Sequence, residues 1–520
     1  MIASTGQPFL RLHPDDNIAL TKQNVAKGTP IVVDGLDGSI STRDAIDLGH
    51  KVALCKIDVG QPVRKYGQLI GFASEPIEPG DWIHSHNLSA GDLTLDYAFS
   101  SAVPPAPKLI EGRTFMGYRR PNGKAATRNY VAIISTVNCS AATSRLVARQ
   151  IDQAILADYP NIDGILPITH KGGCAFQYGG EDHEQLARTL GGFARHPNIG
   201  AYIVIGLGCE TGQASYLADT QHLVQINHPG KERQQSQPLI MNIQEEGGIK
   251  KTVARATAAL KELLPAANQV QRVPIPVSEI LLGTECGGSD GNSGVTANPA
   301  LGIASDLLVA HGATSCLAET PEIYGGEHLL TRRAISREVG EKLIERIKWW
   351  ERYTGFFGVK IDNNPSPGNK KGGLTTIYEK SLGAIAKGGS TALRAVYKFA
   401  EPITEKGFVV MDTPGYDPVS VTGMVAGGAN VVVFTTGRGS CFGCKPVPSI
   451  KIATNTPMFE RMIDDMDINA GKILEGASVE EVGCEIFEKI ISVASGEKTK
   501  SELQNIGDDE FAPWSIGPTL

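Results

Sequence analysis

The chain has 520 residues, a length that suits three domains at roughly 100 to 200 residues each. Apolar residues make up 41%, charged residues 20% and aromatic residues 6%, with 59 glycines, a balance that excludes a disordered chain or a coiled coil. The net charge of −7 without a long Lys/Arg block argues against nucleic acid and membrane partners. The amino-terminal sequence has no basic segment leading into an apolar run, and no stretch of about 18 apolar residues occurs, so a cytoplasmic protein is expected. Nine cysteines are too sparse for a disulfide scaffold; the thiols are buried filler, metal ligands or reactive groups.

Residues 1–100 carry short β-rich runs (PIVV, KVALCKI, WIHSHNL) between the turn signals DGLDG, EPG and SAGD, which predicts a small all-β domain. Residues 101–112, rich in Pro and Ala, suit an extended linker. From Tyr130 the texture changes to apolar runs that end in glycine and lead into helix-compatible sequence: YVAIISTVNC, NIDGILPITHKGGC and AYIVIGLGCETG. These predict buried parallel strands in an α/β domain over 113–274. After VQRVPIPV, the runs SEILLGTECGG, GFVVMDTPG and ANVVVFTTGRG alternate with helical segments and predict a second α/β domain over 275–520. Its clearest helix starts at Ser478, with Glu481 completing a capping box and Val482, Ile486, Phe487, Ile490 and Ile491 on one stripe. PWSIGPTL reads as a docking tail, and no internal repeat stands out. The expected fold is therefore multidomain α/β: a small all-β domain, then two α/β domains with mainly parallel sheets.

Cys139, Cys174, Cys209 and Cys286 each fall at the carboxyl end of a predicted strand, where open α/β sheets form their ligand crevice. His170, four residues before Cys174, suits a metal ligand or a general acid. His84 and His86 converge on one metal only if their strand bends. The loop ECGGSDGNSGVTANP gathers Glu285, Asp290, Ser293, Thr296 and Asn298 around glycines and suits a hard cation or several hydroxyls. Lys370 and Lys371 follow a Pro/Gly-fixed turn and suit a carboxylate clamp or a desolvated base. Arg438 is suited to bidentate carboxylate recognition, while Cys441 and Cys444 form a lone CxxC. Glu319 and Glu322 are acid–base candidates, against the alternative of a solvated helix start. The dinucleotide fingerprint, the phosphate loop and the GxSxG elbow are all missing, which removes nicotinamide, ATP and serine-hydrolase readings.

The motifs GYRRPNGKAATRNY, HKGGC, GLGCE, ECGGSDGNSGVTANP, NPSPGNKKGG, TTGRG and MDINAG, in that order, resemble the altronate/galactarate dehydratase family of sugar-acid lyases. The amino-terminal segment through WIHSHN is similar to a SAF (β-clip) domain, and HSHN looks closer to the altronate branch. SCFGC at 440–444 departs from the Thr-Pro-Tyr-Gly type sequence of the two best-known branches. The resemblance implies loss of water from an aldonate or aldarate such as D-altronate to give a 2-keto-3-deoxy acid, with iron(II) or manganese assisting. It suggests Lys370 or His170 as base, with Asp290 in the catalytic loop, and Arg438, Ser293, Thr296, Asn298, Asn369 and Glu319 on the substrate. For the metal two arrangements stay open. His84 and His86 would cap a cation at the domain interface; alternatively Cys174 and Cys209, with His170 or Cys286, would hold iron. Thiol-rich sites take zinc or an iron–sulfur cluster more readily than manganese, which favours the histidines for a mononuclear ion. The expected partner is a small-molecule sugar acid, bound by a homo-oligomer. Galactarate and sulfolactate remain alternative substrates. A non-catalytic sugar-acid sensor would need a DNA-reading helix with a basic face, which the sequence lacks.

Overall fold

The computed structural model describes residues 7–36, 39–224, 238–361 and 364–517. The amino-terminal part is built from small antiparallel sheets. One orders Phe9–Leu10, Ile18–Thr21, Lys51–Ala53 and Trp82–Ile83; another orders Pro62–Lys65, Gln68–Ala73 and Leu88–Ser89. Strands this short need help from their turns, and a pattern hidden in the sequence supplies it. Val25–Gly28, Ile46–Gly49, Ile57–Gly60 and Ile77–Gly80 are each a turn with a buried aliphatic residue first and a glycine last. The four glycines have φ of 81°, 80°, 79° and 88°, the left-handed region that glycine enters without a Cβ clash. The aliphatic residues pair across the module, Val25 with Ile46 and Ile57 with Ile77. The expectation of no internal repeat is corrected here: the motif is only four residues long and its spacing is uneven.

In the middle of the chain, Tyr130–Ser135 lies between Gly164–Ile168 and Ile199–Gly206, with Ile240–Asn242 beyond, all parallel. Val131, Ile133, Ala201 and Ile203 face one covering layer and Ala132, Ile134, Tyr202 and Val204 the other, so both faces are buried and the strands read as continuous apolar runs. An antiparallel pair, Thr114–Arg119 with Arg272–Pro276, brackets this unit where the chain comes in and goes out. The unit is tied to the carboxyl-terminal part by the fully buried Arg128, whose guanidinium meets Glu502 at 2.6 and 2.8 Å and donates to the Val493 carbonyl.

The carboxyl-terminal part is a seven-stranded parallel sheet in the order Leu393–Tyr397, Gly407–Met411, Thr314–Leu317, Leu281–Cys286, Val431–Thr436, Ser449–Ala453, Ile468–Asn469. Its first strand in sequence, Leu281–Cys286, is the central one; on one side the chain reaches the edge strand Leu393–Tyr397 before Gly407–Met411 fills the gap, and on the other it builds outward in order. The crevice of such a sheet opens beyond the carboxyl end of that central strand. The helix Val479–Ala494 has the expected Ser478–Glu481 capping box, and its five stripe residues are buried against the sheet. The fold is thus α/β with an all-β module in front. Among the described residues no helix is long and apolar enough to cross a membrane.

The β module is fastened over the crevice by charge. Lys51 and Lys65, both fully buried, converge on Glu379, with Nζ to carboxylate distances of 2.8 and 2.9 Å. Their remaining protons go to the carbonyls of Gly373 and Gly291. Burial alone would raise the Glu379 pKa, but the two ammonium charges outweigh it and hold the carboxyl far below its ordinary 4.5. A depressed folded-state pKa contributes stability that is complete above 4.5 and is lost as pH falls below it. Glu379→Gln leaves two ammonium groups buried without a counter-charge and should weaken the module's docking by about 3–5 kcal/mol. Limited proteolysis should release the module from this variant at neutral pH, whereas the parent chain should hold it at neutral pH and release it in acid. Equal protection of both proteins across that pH range would contradict the assignment.

Candidate functional site

The central strand ends in Glu285 and Cys286, and the neighbouring strand Thr314–Leu317 runs on to Glu319 and Glu322. Glu319 has φ 64° and ψ 61°, a left-handed backbone that costs a non-glycine residue about 1–3 kcal/mol. That conformation turns its carboxylate back onto the central strand, where Oε2 accepts from the Cys286 amide at 3.1 Å. The thiol Sγ lies 3.5 Å from Glu319 Oε2 and 3.4 Å from Glu322 Oε2. Two lysines come from the helix Ile377–Ile385 and the turn that continues it, seven residues apart and so on one face. Lys387 Nζ stands 2.8 Å from both Cys286 Sγ and Glu319 Oε2. Lys380 Nζ meets Glu322 Oε1 at 2.5 Å and Asn364 Oδ1 at 3.0 Å. All six of these ionisable side chains are buried.

A second acidic group adjoins the first. Glu285, Glu319 and Asp417 place one carboxylate oxygen each within 4.8 Å of one another, as do the ligand atoms of Cys286, Glu319 and Glu322. Glu285 Oε2 accepts from the Ser420 hydroxyl at 2.7 Å, but Glu285 Oε1 and Glu319 Oε1 meet no donor although both are buried. Burial, reinforced by the Glu319 charge, pushes Glu285 well above the carboxylate range. Glu319 stays ionised because the Lys387 ammonium outweighs its burial. Burial, with Glu319 and Glu322 close by, raises Asp417 to about 7. The Cys286 thiol with one carboxylate oxygen each from Glu319 and Glu322 is a donor set for a divalent cation, and the oxygens without donors on Glu285 and Glu319 mark negative charge that it would offset, so the residues fit a metal. The thiol itself is held protonated, first by burial and then by Glu319, and a cation would reverse that.

The side of the site under the β module is closed. Tyr66, Cys286, Ser289, Gly294, Glu379 and Lys380 are among the residues around a cavity of only about 10 Å³, the room of one water. The other side reaches solvent at Pro414–Asp417, where Tyr416 is exposed, Asp417 is half-buried and Gly415 backs onto Glu322.

The residues singled out from sequence occupy several places. Glu319, Glu322, Glu285 and Cys286 form the site itself. Asp290 lies nearby but accepts from Ser293, Thr454, Asn455 and the Asn292 amide, and so fixes loops. Thr296 donates to the Asn292 and Thr454 carbonyls, and Asn298 bridges Gly383 and Thr435. Asn369 caps the helix Pro367–Lys371 and holds the Ser289 carbonyl. Lys370 is half-buried on that helix with its carbonyl bonded to His84 Nε2 at 2.8 Å; Lys371 is exposed, as is Arg438, which packs by Gly372. His84 and His86 both lie against the Trp82 ring, at 5.0 and 5.1 Å, and neither joins three metal-ligand atoms among the described residues. His170 spends both ring nitrogens on backbone, donating to Ser135 O and accepting from Gly172 N, and burial lowers it to about 4. Cys174 and Cys209 are exposed in the middle unit, apart from Cys286. Cys441 is exposed and Cys444 buried.

Sequence reading missed Lys380, Lys387 and Asp417. Nothing local distinguishes a buried lysine from a surface one on an amphipathic helix. Asp417 did carry a signal, since it opens a helix directly after a strand end, in MDTPGYDP.

Comparison with known proteins places the whole chain. Three family descriptions match in order: "Altronate/galactarate dehydratase SAF domain" over 7–91, "D-galactarate dehydratase/Altronate hydrolase, second domain" over 117–268, and "D-galactarate/Altronate dehydratase, C-terminal" over 277–519. The chain is 36% identical to altronate dehydratase of Bacillus subtilis over 516 residues, covering 98% of this chain and 99% of the relative. It is 38% identical to galactarate dehydratase (L-threo-forming) of Escherichia coli over 503 residues, covering 94% and 93%. It is 34% identical to altronate dehydratase of Escherichia coli over 516 residues, covering 98% and 100%. With all three parts matched and near-complete coverage on both sides, the chain belongs to the D-galactarate/altronate dehydratase family.

Proposed function

We propose that this chain is a hydro-lyase that removes water from an aldonate or aldarate such as D-altronate to give a 2-keto-3-deoxy acid. The observation that carries this reading is the buried set of Cys286, Glu319 and Glu322 with Lys380 and Lys387, placed at the switch point of the seven-stranded sheet. The proton beside a carboxylate is very weakly acidic, so a dehydratase must neutralise the charge that appears when that proton leaves. Cys286, Glu319 and Glu322 would hold the divalent metal, iron(II) better than manganese because one donor is sulfur. Such an ion supplies a Lewis acid that offsets negative charge on the substrate carboxylate.

The chain's own groups divide the remaining work. Lys387 is held as an ammonium, since the ionised Glu319 beside it and the neighbouring acids outweigh its burial, and it keeps Glu319 aimed and ionised. Lys380 is likewise held as an ammonium, Glu322 outweighing its burial. Neither lysine has a free lone pair for use as a base. Asp417, raised to about 7 and set at the open edge, exchanges a proton close to neutrality and is the group suited to take the substrate proton at its carboxylate oxygen. Glu285 keeps a proton beside it, which suits protonation of the leaving hydroxyl. The substrate's carboxylate and hydroxyls would lie along the loop from Ser289 to Asn298 and the helix Pro367–Lys371, with Arg438 and Lys370 at its outer end.

Anaerobic incubation with iron(II) or manganese against a panel of aldonates and aldarates, scored for 2-keto acid, tests the reading. One strong substrate is expected; a folded, metal-loaded chain that yields no 2-keto acid from any of them would overturn it. Glu319→Gln and Lys387→Met should each lower kcat/KM by about 10²–10⁴-fold, read in the same assay. Asp417 works only when ionised, so kcat/KM should rise with pH as this carboxyl, raised by burial above the ordinary carboxylate range, gives up its proton. Asp417→Asn should abolish that rise as well as most of the rate, and an unchanged profile would remove Asp417 from the mechanism.

A further inference from the structure

Three thiols of the middle unit have no place in the site just described. Cys139, Cys174 and Cys209 follow the strands Tyr130–Ser135, Gly164–Ile168 and Ile199–Gly206, which are direct neighbours with the first in the centre. The loops that carry them are knotted together by backbone. Asn138 N donates to Gly172 O at 2.9 Å, Gly212 N to Gly173 O at 3.1 Å, and Thr136 N to Ile205 O at 3.2 Å. A Cβ on Gly173 would stand 2.3 Å from Thr136 O and 2.8 Å from Val137 Cα, so only glycine lets the Cys174 loop come this close to the Cys139 loop. Glu210, next to Cys209, binds back to Thr136 Oγ1 at 2.7 Å and closes the third side.

All three thiols are exposed, the reverse of what cysteine does as a small hydrophobe. Cys139 also lies in the first turn of the 11-residue helix Asn138–Ala148, whose positive end favours a thiolate. The three sulfurs are not all within 4.8 Å of one another, which is too open for a single zinc ion, whereas the sulfurs around a cluster of irons stand wider apart. Of the three, Cys174 lines a cavity of about 610 Å³, with Asn138 from the start of the Cys139 helix and with Arg145, Lys171 and His170.

We propose that Cys139, Cys174 and Cys209 are the three protein ligands of an iron–sulfur cluster of the [4Fe–4S] type, leaving one iron without a cysteine. Each thiol binds as thiolate and gives up its proton to solvent. This assignment is independent of the residues that handle the proton in the carboxyl-terminal site.

The test is anaerobic reconstitution of the full chain with iron, sulfide and a thiol reductant, followed by removal of unbound metal. About four irons and four acid-labile sulfides per chain are expected, with broad absorption near 400 nm. Cys139→Ser, Cys174→Ser and Cys209→Ser should each lose most of both, while Cys441→Ser should keep them. Because a serine variant can misfold, a second readout uses the parent chain: alkylation mapped by mass spectrometry should modify Cys139, Cys174 and Cys209 before reconstitution and spare them afterwards, with Cys55, Cys441 and Cys484 reactive in both states. Absence of acid-labile sulfide, binding of zinc alone, or equal alkylation of the three thiols before and after would each overturn the assignment.

Discussion

Charge buried at the end of one strand governs this molecule. Glu285 and Cys286 close the central strand, Glu319 and Glu322 arrive from the next, and Asp417 opens a helix beside them. Such a concentration of acids away from water is affordable only when cations meet it. Two lysines do so from one helix and the turn that continues it, and the two carboxylate oxygens left without donors mark where their number falls short. A shared proton between Glu285 and Glu319 or a bound divalent ion answers the same deficit. The site therefore stores, before substrate arrives, the electrostatic tension that a dehydration needs to relieve.

The β module repeats that logic with the signs reversed. There one carboxylate, Glu379, is met by two lysines from the module, and the same lysines tie the carbonyls of Gly291 and Gly373. Glu379 precedes Lys380 on one helix, so the anchor of the module and the cation of the site are adjacent residues. Loosening the module thus disturbs the helix that positions Lys380 and Lys387, which gives the domain that covers the site a direct mechanical hold on its chemistry.

How far the sequence could be read follows from which forces act locally. The Ser478 capping box, the buried apolar strands and the strand-end cysteines were legible because periodicity and caps are short-range. The order of the seven strands was not, since nothing within GFVVMDTPG says that it sits two places from SEILLGTECGG. Asp290 stood out as a polar loop residue, yet its oxygens are taken by Thr454 and Asn455, more than 160 residues away. Lys387 gave no signal for the converse reason: its partners are 68 and 101 residues upstream. The four aliphatic-to-glycine turns of the β module escaped notice because each is too short to register until its partner is seen across the sheet.

The division of sulfur between the two α/β units is the remaining piece of logic. Cys286 is buried among carboxylates and ammonium groups, an environment for one borderline ion with mixed ligands. Cys139, Cys174 and Cys209 are exposed among glycines and backbone amides, with carboxylates turned away into loop contacts such as that of Glu210. Hard and soft donors are thus sorted into different sheets, although both sets lie at the same topological position, the carboxyl ends of parallel strands. That position supplies helix amino termini and close backbone approach to whatever binds there. The strand ends fix where a group can bind, and the side chains that follow them decide its chemistry.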